Sequence, residues 1–134
     1  MKKKILIPID GTERGMKSIE YVKNIASPED ASIILLMVRE DMGVARAELD
    51  YKLAEDEIIP ILNDAANQLP GYDVRTIVAF ARAAEHILDI SESEKVDMIV
   101  MTKSTRKGWH RMIGSVTAHV VKYASCMVVI VPEL

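Results

Sequence analysis

The run Ile33-Ile34-Leu35-Leu36-Met37-Val38 is apolar at every position. A strand with one face in water alternates polar and apolar side chains, so an uninterrupted run suits a parallel strand covered by helices on both faces. Upstream, Lys4-Ile5-Leu6-Ile7-Pro8-Ile9 is a second short run, stopped by Asp10-Gly11, and reads as another buried strand. Between the two, Met16, Ile19, Val22 and Ala26 recur at steps of three, three and four. That spacing gives a helix one apolar face while Glu13, Lys17 and Glu20 point away. Thr12 starts this helix and Ser27-Pro28-Glu29-Asp30 ends it.

Downstream, the chain turns polar and helical from about Ala45, with Leu49 and Leu53 on one face followed by a five-residue step to Ile58. Pro60 accounts for that slip, because proline lacks an N–H and clashes with the preceding turn. A kink or break is expected near Ile59, with the helix resuming through Leu62, Ala65 and Leu69 until Pro70-Gly71. Val74 to Phe80 forms a third strand, Ala83, Ile87 and Ile90 mark a third helix, and Val96 to Met101 gives a fourth strand. Ile113, Val116, Val120 and Ala124 make the last helical stripe, and Met127-Val128-Val129-Ile130-Val131-Pro132 is a final strand. Five strands alternating with four helices require parallel pairing through crossovers, so the class is an open, doubly wound α/β sheet. One domain, 1–134, is expected.

Composition narrows the function classes. About half of the 134 residues are apolar (49%) and 28% are charged, the profile of a globular domain. No apolar run approaches the roughly 18 residues of a membrane-spanning helix, and Met1 to Lys4 leads into a strand rather than a signal-peptide core. A cytoplasmic protein is expected, with no membrane partner. Cys126 is the only cysteine, and His86, His110 and His119 are widely spaced, so no disulfide or metal site is expected. A net charge of −3 with one Trp and one Phe argues against nucleic acid, which needs a broad basic face with stacking aromatics.

In doubly wound sheets ligands sit beyond the carboxyl ends of the strands, and two such loops stand out. In Asp10-Gly11-Thr12 an acid directly follows the first strand, where a carboxylate can accept hydrogen bonds from a ribose hydroxyl or a base amine. The plainer alternative is that Asp10 and Thr12 cap the next helix. The second loop, 102–115, carries Lys103, Arg106, Lys107 and Arg111 before Gly114-Ser115 opens a helix. Free N–H groups at that helix start favour an anion, making this a candidate phosphate cradle; a solvated basic loop with Ser115 as an N-cap is the alternative. Cys126 beside the last strand reads as a small core residue, and His86 and His119 lack a catalytic partner at recognisable spacing.

Taken in order, Ile5-Leu6-Ile7-Pro8-Ile9-Asp10-Gly11-Thr12, Met37-Val38, Asp97-Met98-Ile99-Val100-Met101, Gly114-Ser115-Val116-Thr117 and Cys126 to Pro132 resemble the universal stress protein family. The resemblance spans the whole chain. It implies that the first and fourth strands are adjacent, hence a Rossmann-like five-stranded parallel sheet of order 3-2-1-4-5 with helices on both faces. It also implies dimers and, in one branch of the family, an adenine nucleotide between the ends of those two strands.

That ATP-binding branch carries Gly, two residues, Gly, eight or nine residues, then Gly followed by Ser or Thr. Only Gly114-Ser115 matches. Anchored on the fourth strand, the first two glycine positions fall on Thr102 and Thr105; counted nine back from Gly114, they fall on Met101 and Ser104. A β-branched residue resists the positive φ with which backbone approaches a phosphate. The positions that match the branch are Pro8, Ile9 and Asp10 near base and ribose, and Val38 beside the base. Met101 and Thr102 match at the strand end, and Gly114, Ser115, Val116 and Thr117 at the phosphates. The other branch lacks the glycines and binds no ATP, and Trp109 in a shorter loop suits it. Both branches stay open. The expected function is a dimeric stress-response module with a degenerate adenine-nucleotide (ATP or AMP) crevice and no catalysis, paired through strand 127–132. The alternative is a genuine ATP-binding stress protein with weak nucleotide hydrolase activity, using Asp10 to hold a metal-bound phosphate. An adenine nucleotide is the one cofactor expected, with Mg²⁺ only as its companion.

Overall fold

The computed structural model describes residues 2–39, 48–80, 82–102 and 115–132. Its elements run β1 (Lys3–Ile9), α1 (Glu13–Ile25), β2 (Ala31–Val38), α2 (Glu48–Ala66), β3 (Asp73–Ala79), α3 (Ala83–Ser93), β4 (Met98–Thr102), α4 (Ser115–Tyr123) and β5 (Met127–Val131). The strands form one sheet in the order β3-β2-β1-β4-β5, and every neighbouring pair is parallel. The architecture is the expected Rossmann-like one. Along β1, Ile5, Ile7 and Ile9 face one way, packing with Ile19 and Val22 of α1 and Ile58, Leu62 and Ala65 of α2. Leu6 faces the other way, with Ile34, Leu36, Ile99 and Met101, beneath Ile87 of α3 and Val120 of α4. Two helices therefore cover each face, which is why β2 is apolar at every position from Ile33 to Val38. Each fully buried Leu or Ile contributes about 1.5–3 kcal/mol relative to an exposed one.

Helix α2 departs from expectation in two ways. It runs without a break from Glu48 to Ala66 with Pro60 inside it. Both Pro60 and Asp56, whose carbonyl loses its partner, are exposed, so water can satisfy the orphaned oxygen. The apolar face also differs: Leu49 and Leu53 are 64% and 54% exposed, whereas Ala54, Ile58, Leu62, Ala65 and Leu69 are buried. Those five recur at steps of four, four, three and four, a regular helical stripe. The five-residue step from Leu53 to Ile58 joins an exposed leucine to a buried isoleucine, and no kink is needed to explain it.

The turns are built from local hydrogen bonds. Lys95 has φ +52 and sits in a Schellman closure of α3, with Lys95 N–H donating to Glu92 O and Val96 N–H to Ser91 O. Lys4 and Asp97 lock β1 to the approach of β4, the Asp97 carboxylate accepting from Lys4 N–H at 2.8 Å and the Lys4 carbonyl from Asp97 N–H at 2.8 Å. Tyr72 donates its hydroxyl to the Ala26 carbonyl at 2.6 Å, tying the entry of β3 to the end of α1.

Candidate functional site

The sheet winds outward from β1 through β2 to β3, then crosses back to β4 and β5. The winding reverses between β1 and β4, and there the strand tips leave a crevice that no crossover covers. A cavity of about 400 Å³ lies at this point. Pro8, Ile9 and Asp10 of the β1 tip line it, with Val38 from β2 and Met101 and Thr102 from β4. Ser115 and Val116, the first two residues of α4, close it from the other lip. Thr117 is fully buried on the inner side of α4 and does not line the cavity. Gly114, the basic stretch 103–111, Trp109 and Ile113 lie outside the described residues.

Asp10 is exposed and held by its own turn. Its Oδ1 accepts from Thr12 N–H at 3.0 Å and from the Thr12 hydroxyl at 2.6 Å, while Gly11 between them takes φ +86, which a side chain would resist. The Thr12 hydroxyl donates to this carboxylate and makes no side-chain cap on α1. The turn thus fixes one carboxylate oxygen and aims the group at the cavity mouth. Gly15 brings α1 down onto β1, because a Cβ there would meet Ile9 at 3.1 Å.

Several lining residues escaped the sequence reading. Leu36, Ala83 and Ile87 form, with Val38, an apolar wall between β2 and α3. Arg39 stands beside it at the β2 carboxyl end, its guanidinium 3.3 Å from Glu57 of α2 and its backbone N–H bonded to Ala79 O at 2.9 Å. The rule that loops after strands carry ligands applies to Arg39 as much as to Asp10. Ala83 and Ile87 carry no local signal, since only tertiary packing brings α3 there.

Chemically the crevice combines a hydrogen-bond-accepting carboxylate, an apolar slot suited to a flat ring and the start of a helix, where N–H groups favour an anion. Among the described residues, Asp10 is the only acid lining it, and no His or Cys does. His119 lies against Tyr123 with ring centroids 4.8 Å apart. Burial pushes the Cys126 thiol above its ordinary value, Asp97 pushing the same way against a backbone hydrogen bond, so the thiol is a poor nucleophile. Among the described residues no helix is long and apolar enough to cross a membrane.

These features define an open, doubly wound α/β domain with a crevice at its topological switch point. The sequence matches the Universal stress protein family over residues 1–132, and the chain belongs to that family. Universal stress protein MJ0531 of Methanocaldococcus jannaschii is 29% identical over 98% of this chain and 82% of its own length. The solved structure of MJ0577, a universal stress protein of the same organism, superposes with a TM-score of 0.80 at 28% identity, covering 100% of this chain and 98% of that one. A universal stress protein solved in complex with cAMP superposes with a TM-score of 0.75, covering 98% of this chain and 97% of that one; at 19% identity this is a likeness of fold.

Proposed function

We propose that this chain is a non-catalytic binding module of 1–134 whose crevice takes an adenine nucleotide, working as a homodimer in the cytoplasmic stress response. The observation that carries the reading is that Asp10 and Ser115, from elements far apart in sequence, line one cavity. In this reading Asp10 accepts from the ribose hydroxyls, with Pro8 and Ile9 beneath them, and Val38 flanks the base. Met101 and Thr102 floor the crevice, while Gly114, Ser115 and Val116 meet the phosphate at the start of α4. Thr117, from inside α4, supports that helix turn. That the same fold is solved with cAMP agrees with an adenine ligand. Neither register of the family motif, Thr102 and Thr105 or Met101 and Ser104, supplies its first two glycines, which favours AMP over ATP, since backbone that carries a side chain approaches a polyphosphate less closely.

Calorimetry of protein freed of co-purified nucleotide, against ATP, ADP and AMP, tests this. Binding that weakens about tenfold or more in Asp10→Ala, the range for a lost charge-assisted hydrogen bond, is the expected result. No heat with any of the three would overturn it. Steady phosphate release from ATP, absent in Asp10→Ala, would instead make the protein a weak hydrolase.

A further inference from the structure

An exposed carboxylate ordinarily samples its rotamers in water, but Asp10, although exposed, is pinned. Its Oδ1 accepts two hydrogen bonds, from the Thr12 N–H at 3.0 Å and from the Thr12 hydroxyl at 2.6 Å. The backbone of this turn is seated as well. A Cβ on Gly11 would meet Met37 Cε of β2 at 3.3 Å and Ile61 Cδ1 of α2 at 3.5 Å, and the Thr12 carbonyl accepts from Gly15 N–H at 3.1 Å. Thr12 is the N-cap residue of α1, yet its side chain makes no cap. A threonine oxygen at that position ordinarily accepts from a free N–H of the first turn and stabilises the helix. Here that contribution is forgone, and the hydroxyl proton goes to an acid that lines the crevice. A carboxylate oxygen has room for about two donors, so Oδ1 is filled. Among the described residues Oδ2 accepts no hydrogen bond and keeps its capacity for a ligand.

We infer that Thr12 is a positioning residue of the crevice: it occupies Oδ1 of Asp10 and so leaves Oδ2 as the acceptor for the sugar hydroxyls of the ligand. This rests on the nucleotide reading of the site and goes beyond it by making recognition of the sugar depend on a residue outside the lining. Thr12 itself does not line the cavity, so it acts through Asp10 alone. Binding immobilises the side chains that hold a ligand, and each rotamer fixed at that moment weakens affinity. With Asp10 already fixed by its turn, that cost falls on folding instead of on binding. The backbone N–H of residue 12 supplies one of the two bonds whatever side chain stands there. A single bond leaves the carboxylate free to turn about it, and the short, charge-assisted bond from the hydroxyl removes that freedom.

A sugar contact is read with a ligand that lacks the sugar hydroxyls. AMP and 2′,3′-dideoxy-AMP share the base and the phosphate and differ in those hydroxyls alone. Calorimetry measures both ligands against the wild type, Thr12→Val, Thr12→Ala and Thr12→Ser, with thermal unfolding to verify that each variant is folded. The wild type is expected to bind dideoxy-AMP roughly tenfold more weakly than AMP. Thr12→Val is expected to weaken AMP binding roughly threefold and to leave dideoxy-AMP binding unchanged. Thr12→Ala should match it, which keeps the test open if valine disturbs the turn, and Thr12→Ser, which retains the hydroxyl, should bind both ligands as the wild type does. A purely structural role for Thr12 would weaken both ligands by the same factor, and that result overturns the inference. So does a Thr12→Val variant with the wild-type affinity for AMP, or a serine variant that loses as much as valine. A wild type that binds AMP but does not distinguish it from dideoxy-AMP would take Asp10 off the sugar, and the role of Thr12 would fall with it. No heat with AMP would overturn the nucleotide reading itself, so the two failures are distinct.

Discussion

Ser18 lies on α1 with no exposure, and among the described residues its hydroxyl has no hydrogen-bond partner. A buried hydroxyl loses its water on folding and here recovers nothing, a cost of about 1–3 kcal/mol. Alanine removes that cost and is also the better helix former. Ser18→Ala is therefore expected to stabilise the fold by about 1 kcal/mol in urea unfolding; a destabilisation of similar size would mean that the hydroxyl has a partner. Asp10 is the opposite case. It is exposed, and both of its bonds go to Thr12, so its charge remains close to water. Neutralising it is expected to change ligand binding far more than folding.

At the scale of elements, α2 distinguishes what the sequence discloses from what it conceals. Ile58 is buried and Leu53 half in water, although both looked like core in the apolar pattern. Ile58→Ala is expected to cost about 2–5 kcal/mol, the range for emptying a filled core site. Leu53→Lys should stay within about 0.5 kcal/mol. Urea unfolding of the two variants checks the phase of the helix; the reverse order would put the leucine face inward. The strands were legible because a parallel strand covered on both faces has no room for polar residues, and β2 states this in six consecutive side chains. The phase of α2 was less so, because alanine contributes to a buried stripe as readily as leucine but attracts less notice. In the crevice, Asp10 could be found from its place after β1, whereas Met101 and Thr102, the last residues of β4, were reached only through the family resemblance. Arg39 has the same kind of position as Asp10, yet a lone cation after a strand looks like ordinary surface. The wall from α3 exists only after the chain has folded, so no local pattern could announce it.

For the whole molecule, the two sheet edges are built differently. Strand β3 exposes Asp73, Arg75 and Thr76 along its length, and Arg75 pairs with Glu94 at 2.7 Å. Charges of this kind discourage another strand from adding to an edge. Strand β5, which pairs only with β4 among the described residues, reads Met127-Val128-Val129-Ile130-Val131 with no charge or proline. Met127 is 62% exposed, and Val121 and Tyr123 of the preceding helix are 52% and 55% exposed. An edge with open backbone groups, apolar side chains and no defence is suited to association, and a two-fold pair places the same strand of each copy against the other. In such a pair the middle residue of β5, Val129, faces its own copy. Val129→Lys would then oppose two like charges across the axis, which is destabilising for directly facing strand residues. Sedimentation equilibrium is expected to give twice the chain mass for the wild type and for Arg75→Ala at the other edge, but one chain mass for Val129→Lys. Thermal unfolding of Val129→Lys tells a folded monomer from a collapsed strand, and the more exposed Met127→Lys should weaken pairing with less disturbance of the core. A wild type that stays monomeric at all concentrations, or a Val129→Lys variant that stays paired, would show that β5 is covered in some other way.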